Sequence, residues 1–77
     1  MTREEILKSA LIDRDQEIMG YQINIDNYRL AIADITDSGD EDLFPFRAQL
    51  VARLESETLE QKKAKLIRKV IAKQLGE

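Results

Sequence analysis

The sequence contains no cysteine, no histidine and no tryptophan. Without cysteine, no disulfide staples the fold and no thiolate binds zinc. Without histidine, the commonest general base and the commonest metal ligand are both missing. Two Tyr and two Phe are the only aromatics, too few to line a deep substrate pocket. The longest apolar run is only a few residues, so no segment is expected to span a membrane. The opening Met-Thr-Arg-Glu-Glu carries no apolar signal region, and the cytoplasm is the expected location.

What is present points to helices. Charged residues make up 35% of the chain and apolar residues 43%. Leu, Ile, Glu, Lys, Arg and Ala dominate, as in helical proteins. The net charge of −3 favours solubility and speaks against nonspecific nucleic-acid binding by the whole surface. A chain of 77 residues fits one small domain and buries too little surface for a wide stability margin. With staples and metals excluded, oligomerisation is the remaining remedy.

The stretch from Leu7 to Ile35 organises the rest. Leu11, Ile18, Ile25 and Ile32 recur every seven residues. Leu7, Tyr21, Tyr28 and Ile35 form a second series, interrupted by Arg14. Together they make the alternating three- and four-residue steps of a helix seam. Thr2 and Glu5 have the spacing of a capping box, and Glu4 and Glu5 suit the helix dipole. A first helix is therefore expected over about 3–35. Arg14 would either pack its stem and send its head to solvent, or find a carboxylate. Gly20 would permit a close helix crossing or mark a bend. Tyr21-Gln22-Ile23-Asn24-Ile25 alternates like a strand, but the seven-residue series crosses it without a phase break, which favours helix.

After Ile35 the pattern stops. Residues 36–42 form an acidic turn with Gly39 inside it. Its acids lack the ordered Asp-x-Asp-x-Asp-Gly spacing of a calcium loop, so no metal and no cofactor is expected. Pro45 is tolerated only in the first turn of a helix. This predicts a second helix over about 43–75 with Asp42 as its N-cap and Gly76 past its end. Phe44 and Phe46 are expected to pack on Ile32 and Ile35 and close the core. Phe46, Leu50 and Leu54 share one side of this helix, whereas Ile67, Val70 and Ile71 share a displaced side. A bend near Ser56–Thr58, or different neighbours for the two halves, would explain the displacement.

The expected fold is all-α: one domain, residues 1–77, forming an antiparallel two-helix hairpin that resembles a coiled coil and completes a helical bundle by self-association. The lysine-rich end of the second helix would then lie beside the acidic start of the first. Apolar residues in excess of one seam define the candidate interface with another copy or with a partner protein. On the first helix these are Leu11, Ile12, Ile18, Met19, Ile23 and Leu30. On the second they are Leu59, Leu66 and Val70.

Ser9, Ser38 and Ser56 have no histidine to activate them, and no carboxylate pair sits in a visible pocket, so catalysis is not expected. The expected role is a non-catalytic protein-interaction module: an adaptor, inhibitor or assembly factor. Small charged helical chains without cysteine are common among accessory products of bacteria and phages. The alternative is a nucleic-acid accessory protein using Lys62, Lys65, Lys69 and Lys73, which share a helix face suited to phosphates. Lysine alone reads no bases, and a solvated face paired with the acids of the first helix explains the same pattern.

Overall fold

The computed structural model describes residues 1–76. It is an all-α helical hairpin. Helix α1 spans Arg3–Ser38 and α2 spans Phe44–Gln74, with a 3-10 turn over Glu41–Leu43 between them. The hairpin is a rod of 56 × 17 × 14 Å. Its radius of gyration is 17.2 Å, against about 11.5 Å for a compact domain of this length.

Local chemistry sets the helix ends. The Thr2 hydroxyl accepts from the Glu5 N–H at 3.2 Å, satisfying one of the unpaired donors of the first turn. At the other end α1 runs three residues beyond the expected Ile35. Thr36 donates its hydroxyl to the Ile32 carbonyl at 2.8 Å and Ser38 donates to that of Ile35 at 3.0 Å. These polar side chains bond back to the helix and prolong it without any apolar periodicity. Gly39, at φ 65°, ends it in the left-handed conformation, its N–H donating to Ile35.

The start of α2 corrects one expectation. Asp42 is not its cap. Asp40 accepts from the Asp42 N–H at 3.1 Å and caps the 3-10 turn. Leu43 then precedes α2 with no side-chain capping bond, and Pro45 lies in the first turn. Gly76 follows the helix at φ 82°, in the position expected for it.

All nine seam positions of α1, from Leu7 through Arg14 to Ile35, are buried or half-buried. The α2 seam is Arg47, Leu50, Leu54, Glu57, Gln61, Ala64, Arg68, Ile71 and Leu75, again in steps of three and four and again buried or half-buried throughout. Antiparallel register is marked along the rod by Arg47 on Thr36, Gln61 on the Ile18 carbonyl, Arg68 on Asp15 and Arg3 on Gln74. Ile25 and Leu50, 2% and 3% exposed, are the best-buried side chains, each worth about 1.5–3 kcal/mol.

The seam bears on two further expectations, the course of α2, which agrees with the expected span, and the phenylalanine pair, which does not. Helix α2 is one uninterrupted helix from Phe44 to Gln74. Its apolar pattern only looks displaced, because polar and small residues occupy the central seam while larger apolar residues face out. The phenylalanines do not close the core as a pair. Phe44 is half-buried under the Arg47 guanidinium, 4.2 Å from its ring centroid, whereas Phe46 stays 44% exposed. Arg47, one residue on, holds the seam position. Helix α1 continues through Gly20, and residues 21–25 are helical.

Candidate interaction surface

In the middle of the hairpin α2 lends polar residues to the seam, opposite the apolar seam of α1, and both helices carry apolar residues outside. Gln61 is buried, 7% exposed, and donates to the Ile18 carbonyl at 3.2 Å and to Gln22 Oε1 at 2.9 Å. Gln22 in turn donates to Asp26 at 2.9 Å. Tyr21 donates its hydroxyl to Glu17 at 3.3 Å. Partial burial, then the carboxylates of Glu17, Glu60 and Glu57, push the Tyr21 phenol above its usual value of 10.0. Glu57 Oε2 is buried with no hydrogen-bond partner among the described residues. Arg14 pairs with Glu17 at 2.9 Å, its side chain 37% exposed, so it finds a carboxylate while keeping contact with solvent.

Outside this polar centre lie the apolar side chains. Ile12, Met19, Ile23 and Leu30 are 53–66% exposed on α1. At 100° per residue they form a straight stripe roughly 150° round the helix from the hairpin seam. On α2, Leu59, Leu66 and Val70 are 46–60% exposed and likewise lie on the side away from α1. The two stripes therefore face in opposite directions. Isolated exposed apolar residues are ordinary, but ordered stripes signal a contact surface.

The candidate interface residues thus divide. Leu11 and Ile18 are half-buried between the two helices of the same chain and do not join the outer surface. The other seven do, and Ile6, Val51 and Ile67 are exposed as well. Sequence reasoning missed Glu57 and Gln61 as interior residues. A seven-residue count backwards from Leu75 and Ile71 would have reached Ala64, Gln61 and Glu57, but a count guided by apolar residues does not stop at them.

The charged residues pair mostly within a helix: Lys8 with Glu4, Arg14 with Glu17 and Lys63 with Glu60. Between the helices, Arg68 donates to Asp15 at 2.6 Å. Lys62, Lys65, Lys69 and Lys73 are exposed and, among the described residues, make no ion pair within 4.0 Å. Among the described residues, the ion pair between this end of α2 and the acids of α1 is that of Arg68 with Asp15.

A cleft of about 420 Å³ opens at the free end of the hairpin between Arg3, Glu4, Leu7, Gln74 and Leu75. Among the described residues no acidic cluster is placed to hold a metal ion, and no helix is long and apolar enough to cross a membrane. No family model matches the chain, and neither curated proteins nor solved structures give a match.

Proposed function

We propose that this chain is a non-catalytic protein-interaction module, an adaptor, inhibitor or assembly factor that acts by presenting helical surfaces. One observation carries the reading: both helices turn large apolar side chains outward, between residues 12 and 30 and between 59 and 70, while on α2 the seam itself holds Glu57, Gln61 and Arg68. A hairpin that only had to fold would place these residues the other way round.

The test is a pair of charges placed in the stripe. Leu59→Glu with Leu66→Glu should keep the helical spectrum and abolish a saturable complex with a protein from the source cells. A complex that survives at full affinity would refute a role for the α2 face.

A second reading is favoured by the uncommitted lysines. Nucleic acid would contact Lys62, Lys65, Lys69 and Lys73, with affinity that falls steeply as salt rises. Under that reading Lys62→Glu, Lys65→Glu and Lys69→Glu together abolish binding to duplex DNA or RNA. Binding that survives the reversal rules it out.

A further inference from the structure

We propose that two copies of the chain pair through the outer face of α1, antiparallel, about a twofold axis at the level of Tyr21. The pairing uses one of the two stripes on which the interaction reading rests, and it names the occupant as a second copy. Four observations lead to it.

The first is symmetry. Ile12 and Leu30 lie nine residues either side of position 21, and Met19 and Ile23 lie two either side. An antiparallel copy therefore sets Ile12 against the partner's Leu30 and Met19 against the partner's Ile23. A twofold interface has to be self-complementary in this way. The steps of seven, four and seven are those of a coiled-coil seam, and the stripe extends about 27 Å along the helix.

The second is polar complementarity. Between the apolar layers the same register sets the Gln16 amide against the partner's Asp26 carboxylate. Along one flank it brings Arg29 within about 3 Å, along the helix axis, of the level of the partner's Asp15. Arg29 is exposed and has no ion pair among the described residues, while Asp15 holds Arg68 through one oxygen. Charge complementarity of this kind selects orientation.

The third is Gly20. A mid-helix glycine is unfavourable, and the hairpin itself does not require one. A Cβ added there would meet nothing within 4 Å, and its backbone is ordinary helix. In the antiparallel pair Gly20 lies on one flank of the contact beside the partner's Gly20, where the missing side chains leave room for Met19 and Ile23 to pack.

The fourth is the contrast with α2. Its stripe is flanked along one side by Lys62, Lys69 and Lys73. Antiparallel self-pairing sets like flanks together and would crowd these cations. The α1 pairing leaves them free. Because the seam and the stripe lie on opposite sides of α1, the dimer is a row of four helices, α2–α1–α1–α2, with the α2 stripe open on each outer edge.

The absence of cysteine makes the geometry directly testable. Light scattering across a concentration series should give twice 8.9 kDa, and Met19→Glu with Ile23→Glu should halve that mass with helicity retained. A thiol-specific bismaleimide should join Ile12→Cys chains to Leu30→Cys chains when the two are mixed, and join neither variant to itself. A monomeric wild type overturns the proposal and leaves the interaction reading to its own test on α2. So does a dimer that survives Met19→Glu with Ile23→Glu, or one that dissociates only on Leu59→Glu with Leu66→Glu. Self-linking of Ile12→Cys would indicate a parallel pair and also overturns it.

Discussion

Replacing Gln61 by leucine should leave the hairpin as stable as before or slightly more so. The side chain is 7% exposed and donates two hydrogen bonds, to the Ile18 carbonyl and to Gln22 Oε1. Each contributes about 1 kcal/mol net, because the unfolded chain makes the same bonds to water. Losing both costs about 2 kcal/mol. The acceptors left behind are not stranded. Ile18 lies inside α1, where its carbonyl keeps its helical partner, and Gln22 is half-buried and within reach of water. Against this, leucine of similar volume in the same position gains about 2 kcal/mol from burial. The expected result lies between no change and about 1 kcal/mol of stabilisation, as for other buried polar groups replaced by apolar ones. Gln61→Ala loses the same bonds with no apolar gain and should cost about 2 kcal/mol. The assay is urea unfolding followed by far-ultraviolet circular dichroism, at one fixed chain concentration because self-association would shift the midpoint. If Gln61→Leu costs more than about 1.5 kcal/mol with an unchanged slope, the two bonds exceed their usual worth and the reasoning fails. What the substitution should remove is the buried member of the polar contacts that tie α2 to α1, so looser register at the middle of the rod is the expected accompaniment.

Two further outcomes follow from the caps and the phenol. Gly39→Ala forces a side chain into the left-handed conformation at φ 65° and should lower stability by about 1 kcal/mol; a thermal midpoint equal to wild type would show that the turn relaxes freely. Tyr21 is held above 10.0 by partial burial and by Glu17, Glu60 and Glu57, so the folded chain favours the neutral phenol. That stabilisation is complete below the unfolded value of about 10 and is lost as pH rises through the raised folded value. Unfolding midpoints of wild type and Tyr21→Phe, compared at about pH 8 and about pH 11, should diverge at the higher pH, wild type losing more. Parallel behaviour of the two would contradict the placement of the phenol among these carboxylates.

Helix α1 was legible in the amino-acid order alone. Its nine seam positions contain seven large apolar or aromatic residues at coiled-coil spacing besides Arg14 and the terminal Ile35, and periodicity of that length outweighs the strand-like local run at 21–25. The amino-acid order also determined the antiparallel hairpin. Thr2, Gly39 and Pro45 mark helix ends by backbone chemistry that needs no tertiary partner, and a short link between two long helices leaves one topology. Tertiary structure decided what α2 buries. Glu57, Gln61 and Arg68 are polar and read as surface, yet the hairpin draws them into its seam because Leu50, Leu54, Ile71 and Leu75 at the two ends hold the register. In a rigid helix, positions between two anchored ends have no freedom to turn away, so burial there follows from geometry and not from the residue's own hydrophobicity. The same constraint turns Leu59, Leu66 and Val70 outward. A sequence read for apolar periodicity already sets those residues apart from the seam; the packed pair of helices shows which side of the rod they occupy.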